Sequence, residues 1–316
     1  MIYIVLFLLL FAFQLLYFRI ADRFDIIDKP TERSSHKQVT LLGGGIIFSV
    51  AVLLFFLLDG FEYPWFFVGL TLIAAISFAD DVKPQSPVLR LILQFISMFL
   101  MLYECSLYEV VPWFFIPIAL IFCTGILNAF NFMDGINGLT GGYGMVVMGA
   151  LWYINTYQVS FVDGNLIYFL LIALIVFNFF NFRTKAKCFA GDVGAISIAF
   201  VIVFMLCLLV FKTDDLSYIV LLGVYGVDTI LTIIHRIMLK ENITEPHRKH
   251  LYQIMANELK IPHVVVSGIY CLIQALISVG IIISNHHGAY ALSVIAFFCI
   301  VYIVFMKKYF HLYKRN

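Results

Sequence analysis

Long apolar blocks separated by short polar segments run the length of this chain. Eleven blocks are mostly apolar over about 17 to 22 residues, the length a helix needs to cross a hydrocarbon core about 30 Å thick. They lie near residues 1 to 20, 41 to 58, 63 to 79, 88 to 103, 110 to 127, 139 to 157, 165 to 182, 193 to 211, 216 to 235, 263 to 284 and 289 to 306. Backbone polar groups in lipid must be satisfied within the segment, so blocks of this length predict helices. The fold class expected is an all-α polytopic membrane protein of about eleven transmembrane helices, folded as one integral-membrane domain over residues 1–316. No internal repeat or low-complexity linker divides it.

Composition agrees: 63% hydrophobic residues, 12% charged residues, 33 Phe and a mean hydropathy of +1.00 exclude a soluble domain of this size. Charge gives the orientation. Alternate connections carry Arg19, Arg23, Lys29, Arg33 and Lys37, then Lys83 and Arg90, then Arg183, Lys185 and Lys187. The series continues with Arg236, Lys240, Arg248, Lys249 and Lys260, and ends with Lys307, Lys308, Lys314 and Arg315. Of 20 Lys and Arg, only Lys212 falls on the other face. The positive-inside rule then puts the N-terminus outside and the C-terminus in the cytoplasm. The first block reads as a retained span, because Arg19 follows the apolar run and no small-residue cleavage site comes after it. The six cysteines stand singly, without metal-finger or redox spacing, and read as buried bystanders. Asn242-Ile243-Thr244 falls in a cytoplasmic loop on this topology, so a glycosylation reading is weak. Between residues 236 and 262, Leu251, Ile254, Met255 and Leu259 recur at helical spacing, which suggests an arm along the membrane surface.

Five polar signatures fall on the cytoplasmic side: Arg33 to His36 running into Gly43-Gly44-Gly45, Asp80-Asp81, Asn128 to Gly138, Phe189 to Gly194, and Pro246 to His250. They occupy the connections near 21–40, 80–87, 128–138, 183–192 and 236–262. Carboxylates, amides, histidines and arginine gathered on one face make a polar site for a charged, water-soluble substrate beside lipid. Asp80-Asp81 can neutralise a divalent cation, or one carboxylate can be kept basic by its neighbour, or the pair is a solvated helix end. Arg90 suits a phosphate at headgroup depth and equally a snorkelling anchor. Asn128, Asn131 and Asp134 share a broad helix face before Gly135 breaks it, with Asn137 in the turn. Their oxygens are hard donors suited to Mg²⁺, and the amides suit a nucleobase edge. Asp192, placed just before a helix, can bring a metal to its N-terminus or simply cap it, and Phe189 can stack on a base or join the core. Asp228 inside the ninth block must find a partner, and support of the site from behind is the favoured reading. Arg248 between His247 and His250 suits a diphosphate or sugar better than zinc.

Taken in order, DKPTERSSHKQVTLLGGG, DD followed by SPVLRLILQ, NAFNFMDGINGL, FAGDVGAISIAF and PHRKHLYQ resemble the polyprenyl-phosphate N-acetylhexosamine-1-phosphate transferases, which include the phospho-MurNAc-pentapeptide transferases. The likeness runs from about Asp28 to Gln253, and its last motif looks closest to enzymes that initiate O-antigen or capsule chains. Leu41-Leu42 stand where the family commonly has a proline. The resemblance implies transfer from a UDP-N-acetylhexosamine to undecaprenyl phosphate, with release of UMP and use of Mg²⁺ or Mn²⁺. It implies Asp192 and Asn131 as metal ligands, Phe189 and Asn137 near uracil, and Asp80 or Asp81 acting on the lipid phosphate that Arg90 holds. His247, Arg248 and His250 would contact sugar and diphosphate, and His36, Lys37, Asn128 and Asp134 complete the substrate-binding set. Direct attack of lipid phosphate is favoured over a covalent intermediate at Asp81. The bacterial inner membrane, a homodimer and no nucleic-acid partner are expected with it. A secondary transporter is the rival class, but it would show matching halves.

Overall fold

The computed structural model describes residues 2–30, 39–243, 245 and 247–313. His36 and Lys37, with Arg33 to Ser35, Pro246, Lys314 and Arg315, lie outside the described residues. In chain order the helices are α1 (Ile2–Arg23), α2 (Ile46–Leu58), α3 (Pro64–Val82), α4 (Pro87–Glu104), α5 (Leu107–Val110), α6 (Ile116–Met133) and α7 (Leu139–Tyr157). They continue with α8 (Gly164–Asn181), α9 (Gly191–Thr213), α10 (Gly223–Met238), α11 (Leu251–Gln253), α12 (His263–Ile283) and α13 (His287–Tyr313). Two short strands, β1 (Ile27–Asp28) and β2 (Thr40–Leu41), pair antiparallel. Among the described residues, nine of these segments are long and apolar enough to cross a membrane, which makes this a multi-pass membrane protein. The remaining two apolar blocks are occupied by α2, with only 13 residues, and by α7, whose first turns carry Gly141, Gly142 and Gly144.

Proline starts α3, α4 and α6, where its missing N–H costs nothing. Asp163 and Asp215 cap the next turns by accepting from the Asn165 and Ser217 N–H groups. The central helix is α9, buried at every position from Val193 to Leu206 and packed against α2, α3, α6 and α7. Peripheral helices expose Ile4, Leu8, Ile121 and Ile303, an apolar surface suited to lipid.

The glycines of the first signature make this packing possible. Gly44 and Gly45 N–H groups bond the carbonyls of Phe189 and Ala190, and a Cβ on Gly194 would stand 2.6 Å from the Gly45 Cα. Backbones of α2 and α9 therefore meet directly. Extended pairing through β2 and this glycine turn takes up residues 40 to 45, so α2 starts later than its apolar block.

The arm after His250 departs from expectation. Ile254, Met255 and Ala256 are buried, and Ile254 packs with Tyr302, Met306 and Phe310 of α13. The apolar stripe that suggested a membrane-surface arm is covered by protein instead, because the last helix lies across it. All six cysteines are free, with Cys105, Cys123 and Cys188 fully buried and the other three partly so.

Candidate active site

Alternation of the helices brings the C-terminal ends of α3, α6 and α8 to the same end of the bundle as the N-terminal ends of α7 and α9. Long-range hydrogen bonds join them there. Asp81, at the end of α3, accepts from the backbone N–H of Asp192 (2.8 Å) and of Val193 (3.1 Å), one to each oxygen. Its carboxylate is thus the cap of α9, where unsatisfied N–H groups and the helix dipole favour negative charge. Gly191 has φ +73°, and a Cβ there would meet an Asp81 oxygen at 2.5 Å and the Gly43 nitrogen at 2.8 Å. Only glycine admits this conformation and this approach together.

Asp80 faces the other way, accepting from Gln85 N–H (2.6 Å) and pairing with Arg90 (2.5 Å). Arg90 also pairs with Asp192 at 2.7 Å. One guanidinium fork therefore ties α4 to both acidic signatures, a geometry that lysine's single ammonium cannot supply.

A cavity of about 350 Å³ opens beside this cluster, lined among others by Asp81, Asn131, Asp134, Asn137, Phe189 and Asp192. That volume lies at the lower end of small-molecule sites, roughly 300–1,000 Å³. Burial pushes the Asp134 carboxyl up to about 7, with the nearby Asp192 charge adding to the shift and the Thr140 hydroxyl opposing it. Asn137 donates to the carbonyls of Arg183 (2.9 Å) and Thr184 (3.2 Å). Its buried Oδ1 has no hydrogen-bond partner among the described residues, so an acceptor remains at the cavity wall. Asn128 is placed elsewhere: it donates to Gln94 (3.3 Å) and back to Thr124 C=O (2.9 Å), away from the cavity lining.

The fifth signature is held from behind. Buried Asp228 on α10 lies 3.3 Å from His250 Nδ1 and accepts from Leu251 N–H (3.0 Å), Tyr270 (2.7 Å) and Thr232 (3.2 Å). Buried Arg236 binds the carbonyls of Asn242, Ile243 and Glu245, fixing the turn that leads to the loop. Tyr252 reaches across to the Phe132 carbonyl at 2.8 Å, anchoring the loop to the end of α6. Burial, reinforced by the neighbouring charges of His250, Arg236 and Lys249, holds His247 down to about 3, so this imidazole is neutral at physiological pH. His247, half-buried Arg248 and buried His250 are not part of the cavity lining, which this segment of the chain enters at Gln253.

Asp28, Asn181, Gln253 and His263 also line the cavity and were missed as site residues. Asp28 and Gln253 sit at the two ends of the motif series, and all four are polar residues near element ends on the charged side. Asn181 additionally clamps the site, accepting from Gly138 N–H (2.8 Å) and donating to the Cys188 carbonyl (2.8 Å).

No three Asp, Glu, His or Cys side chains converge to hold a metal by themselves among the described residues. Mg²⁺ does not require such a cage, since it keeps several waters and is completed by one or two carboxylates with substrate phosphates. Asp192 and Asp134, with the Asn131 amide, supply hard oxygen donors on one wall and fit that mode of binding.

Comparison with known proteins finds relatives among sugar-phosphate transferases. The model of the family described as "Glycosyl transferase family 4" matches residues 63–210. A probable undecaprenyl-phosphate N-acetylglucosaminyl 1-phosphate transferase of Bacillus subtilis (strain 168) is 28% identical over 260 residues, covering 74% of this chain and 70% of the relative. A phospho-N-acetylmuramoyl-pentapeptide-transferase of Petrotoga mobilis is 30% identical over 52% of this chain and 59% of its own length. For an undecaprenyl-phosphate alpha-N-acetylglucosaminyl 1-phosphate transferase of Yersinia pestis the figures are 29%, 64% and 60%. The chain thus spans less than two thirds of the latter two relatives. With its acidic and amide signatures assembled at one end of a polytopic bundle, the chain matches glycosyl transferase family 4 over residues 63–210 and is similar to polyprenyl-phosphate sugar-1-phosphate transferases.

Proposed function

We propose that this protein transfers N-acetylhexosamine-1-phosphate from a UDP-sugar to undecaprenyl phosphate at the cytoplasmic face of a bacterial inner membrane, initiating a cell-surface polysaccharide. The observation that carries this reading is the Arg90 fork between Asp80 and Asp192, the latter in the wall of a cavity lined by carboxylates and amides. An oxygen of the lipid phosphate attacks the β-phosphorus of the UDP-sugar. The bond from that phosphorus to the bridging oxygen breaks, and UMP leaves with the electron pair. Such chemistry needs positioning and charge stabilisation above all.

Asp192, with Asn131 and Asp134, would hold a divalent cation, which when bound supplies neutralisation of phosphate charge. Arg90 orients Asp192 and offers its positive charge to the incoming lipid phosphate. Asp81 aims α9 and thereby Asp192. Phe189 and the free Asn137 acceptor form the wall suited to the uracil ring and its N–H. His247 and Arg248, on the loop braced by Asp228, face the sugar diphosphate.

Incubation of the purified protein with a panel of UDP-sugars tests the reading. UMP should appear only with both undecaprenyl phosphate and Mg²⁺ or Mn²⁺, and UMP release without lipid would refute it. The panel should include the UDP derivatives of GlcNAc, GalNAc, QuiNAc and FucNAc.

Because Asp134 is protonated below about pH 7, cation loading at this wall should strengthen as pH rises through that value. The half-saturating Mg²⁺ concentration should therefore fall between about pH 6 and about pH 8, and this dependence should flatten in Asp134→Asn. An unchanged pH dependence in the variant would remove Asp134 from the donor set.

Arg248→Lys keeps the charge but loses the two-pronged contact, so kcat/KM for the UDP-sugar should drop roughly tenfold or more. The apparent affinity for undecaprenyl phosphate should stay nearly constant. Impairment confined to the lipid would place this loop on the other substrate.

A further inference from the structure

A second opening lies outside the catalytic cluster, between α10 and the last helix, α13. This groove of about 570 Å³ is lined by Leu231, Ile234 and Met238 on one side and Ile303, Met306 and Phe310 on the other, with Tyr302 at its floor. Its rim has a different chemistry. Lys307 and His311 stand one turn apart on α13, and His235 from α10 packs on Phe310 with ring centroids 4.4 Å apart. Among the described residues no carboxylate lines the groove. Lys307 and His311 are exposed and have no hydrogen-bond or ion-pair partner among the described residues.

We propose that this groove seats an anionic phospholipid of the surrounding bilayer, its phosphate against Lys307, His311 and His235 and an acyl chain along Ile234 and Ile303. Charge complementarity selects that occupant. Basic groups at the rim of an interhelical groove attract anionic headgroups, and apolar walls below them accept a chain but repel a free phosphate ion. The rim lies near the C-terminal ends of both helices, the end of the bundle that carries the Lys and Arg connections. Tyr302 bonds Thr232 at 2.8 Å, and Thr232 bonds Asp228, so the floor of the groove shares the network that braces His250. A seated lipid would therefore press on a wall continuous with the catalytic loop.

Native mass spectrometry of the full-length protein, offered phosphatidylglycerol and phosphatidylcholine of the same acyl chains in equal amounts, tests this. Phosphatidylglycerol should be retained roughly fivefold or more over phosphatidylcholine. The double substitution Lys307→Gln with His311→Gln should abolish most of that preference without moving the thermal midpoint, since both side chains are exposed. Ile303→Trp, which fills the groove, should reduce retention of both lipids, and Lys212→Gln at the opposite end should change nothing. Equal retention of the two lipids, or a preference untouched by the double substitution, would overturn the proposal. So would an equal loss in Lys212→Gln, which would mark the preference as one of net charge. Displacement of phosphatidylglycerol by an equimolar amount of undecaprenyl phosphate, with a raised KM for that acceptor in the double variant, would likewise overturn it by assigning the groove to the substrate.

Discussion

Replacing Asp192 with asparagine should lower turnover by roughly two orders of magnitude or more while leaving the protein folded. The amide conserves the shape of the carboxylate and leaves untouched the backbone N–H that Asp81 caps. What it removes is the negative charge that pairs with Arg90 at 2.7 Å and would hold the divalent cation. Thermal unfolding and UMP release, measured on the same preparation, separate the two effects. A stable variant with near-normal turnover would show that Asp192 serves only the start of α9.

Asp81→Asn should be more damaging, because it strikes both fold and site. Both carboxylate oxygens accept from backbone N–H groups, and an asparagine offers one oxygen and turns an NH₂ group toward the second N–H. Leaving one of these helix N–H groups without its acceptor at this partly buried cap should cost about 1–3 kcal/mol. Turnover should also fall at least as far as in Asp192→Asn, since Asp192 loses the support that aims it. A pH profile distinguishes this positioning role from proton abstraction. As a positioning group, Asp81 leaves a defect that persists when pH is raised and the lipid phosphate ionises on its own. Recovery of turnover at high pH would restore the general-base role, and a phosphorylated adduct trapped on Asp81 would establish a covalent route.

The sequence carried the spans because lipid imposes one solution on a long apolar block, an internally bonded helix. It carried the site's ingredients because polar groups are expensive in such a chain and collect where water or substrate is available. It did not carry their pairings. Asp81 and Asp192 are 111 positions apart, and nothing local distinguishes a helix-capping carboxylate from a base or a metal ligand. Asp80 and Asp81 looked equivalent as neighbours, yet successive residues on a helix point about 100° apart, so one caps α9 and the other meets Arg90. Asn128 shares a helical face with Asn131 but lies a turn deeper, where Gln94 of α4 takes its amide. Apolar periodicity in the arm around Ile254 was legible, but its cover was not. Periodicity shows that a face is buried, without saying whether lipid or α13 buries it.

The most direct test of the account follows the β-phosphorus of the donor. With a UDP-N-acetylhexosamine labelled at that phosphorus, the native protein, undecaprenyl phosphate and Mg²⁺, the label should pass into the organic-extractable lipid in step with UMP release. Asp192→Asn should abolish both together. Label remaining in water-soluble UDP while the sugar moves to the lipid would mean glycosyl rather than sugar-phosphate transfer, and would contradict the mechanism assigned to this site.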